Sequence, residues 1–558
     1  MSAILLMLLG LGGMAAGYLF YSRFIADRIY RFDPDFITPA HEFEDGVDYV
    51  PTNKFVLWGH HFTSVAGAAP IVGPAIAVIW GWLPAFLWVV LGTIFFAGVH
   101  DSGAIWASVR NRALSVGSLT GQVVGKRART IFMIVIFLVL LMVNAVFGVV
   151  IAGLLIKNPA SVVPIWGAIA VALVIGQAIY RFKLNLALVS LLGVVALYTL
   201  IYIGPDIPVS LPEQVFGLSD GAAWILILFA YAAIASLLPV WVLLQPRDYI
   251  NGLQLFVGLI LLYGAVLIAS PEVVAPMINH NVPEGAPPLI PLLFVTIACG
   301  AISGFHGLVA SGTTSKQLDR EPDARFVGYF GSVGEGALAL AAIIAVSAGF
   351  ATLGEWQGVY TAFGQGGVQA FVDGGATILH NGVGIDTEVS ATILTVMAAL
   401  FAGTTMDTGL RLQRYIFQEF GEIYRIHWLG RPLPATLMAV GCCILLAFGA
   451  GGAEGSGGLL IWPLFGTTNQ LLAGLTLLVI TVMLVRLKRP MWITLIPLVF
   501  LLVMTLAALV IQLNEFYQKR DWFLLGLDVV VLVAAILVTL ECASAFKKPA
   551  RDSIGGES

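Results

Sequence analysis

Residues 59–74 read GHHFTSVAGAAPIVGP, and this stretch decides the fold because it breaks several rules of a membrane helix at once. His60 and His61 enter an apolar segment, and Gly67, Pro70, Gly73 and Pro74 follow closely. Proline removes a backbone donor and glycine lets the chain leave helical geometry, so the segment is expected to be broken. At membrane depth, broken backbone is tolerated only where protein buries it or it lines a wet cavity. Secondary transporters build binding sites this way. Taken alone, the stretch also reads as an ordinary kinked span packed through small residues.

The surrounding chain supports the membrane reading. Of its 558 residues 59% are hydrophobic and 11% charged, against about 25% charged in soluble domains. The fold class expected is an all-α polytopic membrane protein with the lipid bilayer as solvent. The longest polar stretches, 21–53 and 353–386, are too short for a soluble domain. No basic run with interleaved aromatics points to nucleic acid. Cys299, Cys442, Cys443 and Cys542 lie in apolar runs without ligand or disulfide spacing, so they read as small core residues. The apolar run 4–20 lacks a basic leader and a cleavage site, so a retained span is expected.

Apolar runs of about 17–25 residues give about fifteen candidate spans: 3–22, 60–80, 83–109, 130–156, 162–180, 184–203, 221–244, 251–270, 289–311, 331–352, 387–405, 434–450, 459–485, 491–512 and 522–546. With the N-terminus outside, 25 of the 28 Lys and Arg residues fall on inward segments, leaving Lys157, Lys519 and Arg520 outside. That asymmetry is the positive-inside pattern and places the C-terminus in the cytoplasm.

Span 2 is interrupted at Gly67–Pro70, and span 7 is expected to be interrupted at Leu237–Pro239, with Pro246 near its inner end. The two have opposite directions and are five spans apart, which suggests two inverted five-helix repeats whose breaks meet near the midplane. The expected organisation is a first helix and linker over 1–54, one repeat over 55–203, a second over 221–410, and accessory helices with a short tail over 411–558.

Ionisable groups inside a membrane are costly and by default functional. Asp101 and His100 lie on span 3, Asp101 about 14 Å from the Arg110 end. His306 lies on span 9, Glu335 on span 10, Asp407 at the inner end of span 11, and His60 and His61 at the inner end of span 2. Together they read as a proton path. For each one alone, a structural role is the competing reading: a His bonded to a carbonyl, or Asp407 and His60 reaching interfacial water. No H-x-x-x-H or C-x-x-C spacing suggests a metal. The glycine-rich stretch 447–460 lacks the G-K-[ST] ending of a phosphate loop and reads as a flexible link. No cofactor is implied, no enzyme constellation survives, and no nucleotide-binding domain is present, so uphill transport would draw on an ion gradient.

GHHFTSVAGAAPIVGP, LPVWVLLQPRDYINGLQ (238–254), ACGAISGFHGLVASGTTSKQL (298–318), AGTTMDTGLRLQRYIFQEF (402–420) and WPLFGTTNQLLAGLTLL (462–478) together resemble the carbon starvation protein A (CstA) family, in order over about 50–490. The resemblance implies inner-membrane carriers taking up pyruvate with protons, peptide uptake in some members, and a LeuT-like core of inverted repeats. His100 stands where the family's V-Q-D pattern has glutamine, and the chain is shorter at its C-terminus than the long members.

A small carboxylate needs hydrogen-bond donors, and the span assignment leaves no Lys or Arg in mid-membrane. Backbone would supply them. The half-helix beginning near Pro70 would aim free N–H groups at the cavity, with Gly67, Ala68 and Ala69 allowing close approach. Gln245 and Ser303 would add neutral contacts. Thr468, Asn469 and Gln470 read as helix packing, because they lie outside the expected repeats. The expected function is proton-coupled uptake of pyruvate or a similar monocarboxylate. A short-peptide carrier is the alternative, with Asp101 or Glu335 holding an ammonium; a nutrient sensor without flux is the remote one. Ser311, Thr313 and Thr314 leave sodium open as the coupling ion. The sequence assigns no oligomeric state.

Overall fold

The computed structural model describes residues 1–46, 48–239, 242–450 and 457–545. Among them thirteen helices are long and apolar enough to cross a membrane, and the pair Lys54–Ala66 and Ala69–Trp80, bent by 49°, makes fourteen. The remaining expected span, 289–311, is two short helices, Leu289–Thr296 and Gly304–Val309, separated by non-helical backbone. Two polar stretches differ from expectation. The first helix runs on to Tyr30 and stops where Arg31 turns left-handed. The 353–386 stretch holds helices Leu353–Val359 and Val368–Val383.

Local chemistry sets the ends of these elements. Asn53 accepts from Phe55 N at 2.9 Å at the start of the broken helix, and Asp386 accepts from Glu388 N at the start of helix Thr387–Ile423. Each satisfies an orphan donor of a helix N-terminus. The centre of the molecule is formed by three long helices: Lys126–Lys157 packs on both Thr387–Ile423 and Gly457–Arg486. The apolar part of the last is 94% buried, whereas the first and final helices of the chain are each 33% buried. The central helices therefore carry the core, and the terminal ones leave apolar faces for lipid.

One expectation is overturned. Span 7 is not a broken helix whose interruption faces span 2. Helix Asp220–Leu237 ends at Leu237, and a new helix, Leu244–Ala269, carries Pro246 in its first turn. Arg411 donates to Ala235 O and Leu238 O, and Arg414 to Ser236 O. Those arginines lie six and nine residues beyond Thr405, which stands beside Gly67, so the helix end is about 9–14 Å from the level of the first break. Proline marked a helix terminus here, which is its commoner role.

The break that meets the first is at 297–303. A side chain on Gly300 would begin 3.4 Å from Pro70 Cα, and one on Gly73 would begin 2.4 Å from Thr296 O. Position 73 meets 296 while 70 meets 300, so the two chains run antiparallel through their breaks. Gly67 (φ +53°) and Gly300 (φ +99°) adopt backbone that L side chains rarely reach.

Candidate functional site

Helix Trp82–Val109 brings His100 and Asp101 to the helix that follows the second break, and helix Arg325–Ala348 closes the third side. Asp101 is fully buried and engages three groups. His100 Nδ1 lies 2.7 Å from Oδ1, His306 Nδ1 2.8 Å from Oδ2, and Ser332 Oγ donates to Oδ2 at 2.6 Å. On the other edge of the same ring, His306 Nε2 lies 3.1 Å from Glu335 Oε2, close but without hydrogen-bond alignment. His306 thus bridges two carboxylates, and none of the three is more than 1% exposed.

Such an arrangement has a defined chemistry. An Nδ1–H held on Asp101 fixes the tautomer and leaves Nε2 facing Glu335. One proton then has two homes: on Nε2, giving an imidazolium between two carboxylates, or on Glu335, giving a neutral acid beside a neutral imidazole.

His61 joins this site from the first broken helix. Its Nδ1 lies 2.8 Å from Thr314 Oγ1, its Cδ2 is 3.0 Å from where a side chain on Gly331 would begin, and Nε2 makes no hydrogen bond among the described residues. His60 is half-buried and not part of the cluster. Asp407 is elsewhere too: it pairs with Arg247 and accepts from Tyr231 OH at 3.1 Å. Of the oxygens considered for sodium, Ser311 donates to Gly307 O, Thr313 to Val309 O, and Thr314 contacts His61.

At the breaks, Gly67, Ala68, Ala69 and Pro70 are all buried. Beside them Thr405 Oγ1 and Thr296 Oγ1 make no hydrogen bond among the described residues, and such hydroxyls are available to a ligand. The side chain of Gln245 lies outside the described residues, as do 451–456 of the glycine-rich link and the side chain of Cys542. Ser303 stands before helix Gly304–Val309 without capping it.

Asn469 does the capping from another helix. Its Oδ1 accepts from Phe305 N at 3.0 Å, and its Nδ2 donates to Ser303 Oγ and Cys299 Sγ, both at 3.1 Å. Asn469 therefore caps the helix after the second break, and reading it as packing outside the core is corrected; Thr468 bonds Leu464 O within its own helix. Asn469→Ala strands a buried N–H, which costs about 1–3 kcal/mol. A correspondingly lower melting temperature and slower transport are expected, and unchanged values of both would remove the capping role.

A second correction concerns charge. Arg247, counted as an inward loop residue, is 2% exposed on helix Leu244–Ala269. Its partner Asp407 is two residues from Thr405, so a cation does reach the level of the first break. Counting Arg247 as the end of span 7 hid this, because the helix it opens was placed from 251 onward.

Comparison with known proteins places this architecture. A "Peptide transporter CstA" of Campylobacter jejuni is 34% identical over 568 residues, spanning 90% of this chain and 79% of that protein. The "Pyruvate/proton symporter BtsT" of Escherichia coli is 31% identical over 602 residues, spanning 94% and 83%. Among solved structures, MhsT in complex with L-phenylalanine aligns with a TM-score of 0.51 at 13% identity over 88% of this chain and 99% of that one. An Eremococcus coleocola manganese transporter aligns at 0.51 and 12% over 90% and 98%. At such identities the likeness shows the fold alone, that of LeuT-type transporters. The model of the family "Carbon starvation protein CstA" matches residues 2–355 and 351–508, and the chain belongs to that family.

Proposed function

We propose that this protein is a secondary transporter that takes up pyruvate or a similar small monocarboxylate together with protons across the bacterial inner membrane. The observation that carries the reading is His306, fully buried between Asp101 and Glu335 beside the second break. A buried imidazole bridging two carboxylates is a place to load and release a proton. The Escherichia coli relative named as a pyruvate/proton symporter supports the substrate class. Purified protein in vesicles should accumulate labelled pyruvate when a proton gradient is imposed; equilibration without accumulation would sink the coupling.

The second reading, a short-peptide carrier, is favoured by the name of the Campylobacter jejuni relative and by the buried Arg247 with Asp248 and Asp407, which offers both signs of charge to a zwitterion. Dipeptide uptake in the same vesicles separates the two.

We also infer that the inverted units begin at Lys54 and Leu289, in place of the boundaries at 55 and 221. The antiparallel contact of the two breaks supports this. So does the packing of the long third members, Lys126–Lys157 on Thr387–Ile423. The N-terminus is placed outside on the charge asymmetry. A cysteine at position 519 should react with an impermeant reagent in sealed cells and one at 426 should not; labelling at 426 would reverse the orientation.

A further inference from the structure

A second polar centre lies on the other side of helix Thr387–Ile423. Ala399, Leu400, Gly403 and Met406 share one face of that helix and line a small, partly open cleft. Thr405, which meets Gly67, points away from that face. The cleft wall is apolar, including Ile151, Trp166 and Leu228, apart from Tyr231 and Arg247. Arg247 uses Nη1 for Asp407 and Tyr231 OH, the latter at 2.7 Å. On its other edge Nε makes no hydrogen bond among the described residues, and Nη2 forms a long ion pair with Asp248, whose Oδ1 lies 3.5 Å away. An arginine edge of two parallel N–H groups is the shape that takes a carboxylate in bidentate fashion.

We infer that the Nε–Nη2 edge of Arg247 is a carboxylate-binding site, which takes a monocarboxylate with its short tail in the cleft of Trp166, Ile151 and Leu228. The inference rests on the carboxylate reading proposed above and supplies the cationic anchor that the breaks lack.

Binding there is tied to protons by charge balance. The charged groups facing the site are Arg247 and Asp248 on one helix and Asp407 and Arg411 on the other, with Tyr231 from helix Asp220–Leu237. Arg414, one turn farther, is occupied with Ser236 O. Two arginines and two aspartates balance, so an incoming carboxylate adds one uncompensated charge to a desolvated cluster. A buried, unpaired charge costs several kcal/mol, and protonation of Asp248 or Asp407 removes it. The site thus binds a carboxylate and a proton together.

The test is equilibrium binding of labelled pyruvate to the full-length protein in lipid nanodiscs over a range of pH. Affinity in the parent should rise by up to about tenfold for each unit of acidification, the slope of one linked proton. Arg247→Gln alone leaves two buried aspartates facing the single cation Arg411, so it is paired with Asp407→Asn to keep the cluster balanced. That double variant should bind about 100-fold more weakly and lose the pH slope. Arg247→Lys, which keeps the charge and loses the fork, should fall between the two. Parent-like affinity and slope in the folded double variant would overturn the site, as would a parent that binds neither pyruvate nor a dipeptide. Decanoate that binds in an Arg247-dependent way where pyruvate does not would assign the cleft to a carboxylate from the bilayer and overturn its role in uptake. Arg247-dependent binding without proton-driven accumulation in vesicles leaves the site standing and removes the symport reading instead.

Discussion

Asp101→Asn should abolish proton-driven accumulation while leaving a folded protein. Each coupled proton lets a gradient of one pH unit sustain about tenfold accumulation; in the variant the cycle should no longer release its proton inside, and the internal concentration should settle at the external one. The amide keeps the shape of the carboxylate and can still accept from His306 and Ser332, but it carries no charge. An imidazolium at contact distance from an anion is favoured by about 4 kcal/mol at an effective dielectric of 20, and this is what the substitution removes from His306. Exchange of substrate at equal concentrations on the two sides should survive, because exchange need not release the proton. Glu335→Gln should give the same pattern, since it deletes the other home of the proton while Asp101 still orients the ring. Accumulation at the parent's level and with the parent's pH dependence in Asp101→Asn would make the cluster a structural network.

The second large effect is expected from Gly67→Ala. At φ +53° and ψ −164° the backbone is in a region that is essentially glycine's alone, costing about 1–3 kcal/mol for other residues. The added Cβ would also stand 2.6 Å from Thr405 Oγ1. Transport should fall to background and the melting temperature should drop. Combining Gly67→Ala with Thr405→Ala relieves the clash and leaves the backbone strain, so partial recovery of stability measures the two contributions. Parent-like uptake by Gly67→Ala would mean that the bend at 67–68 is not part of the transport cycle.

Much of the site was legible one residue at a time. Asp101, His100, His306, Glu335 and His61 stood out because an ionisable group in an apolar run is costly wherever it ends up, and the structure brings the first four into one hydrogen-bonded and ion-paired chain with His61 adjacent. Legibility ended where a break carries no proline. ACGAISGFHG unwinds through Gly300 and is capped by Asn469 from a helix more than 160 residues away, and neither the unwinding nor the cap has a local signal beyond small residues. LLPVWVLLQP has two prolines, and there they end one helix and begin the next.

Read without its fold, the chain settled the class and the cost: a helical membrane protein, broken at Gly67, with a few buried charges that must be paired. Those follow from composition, from the special backbone of Gly and Pro, and from the price of burying charge, all local properties. Which charges pair was decided only by tertiary structure. Asp101 meets His306 across 205 residues and Arg247 meets Asp407 across 160: the helices of the first pair both pack on Gly457–Arg486, and that of Arg247 packs on Thr387–Ile423, which carries Asp407. An arginine at the edge of a span reads as a loop residue until the neighbouring helices are in place around it; here they bury it, set its guanidinium between Asp407 and Asp248, and place it in the wall of a cleft.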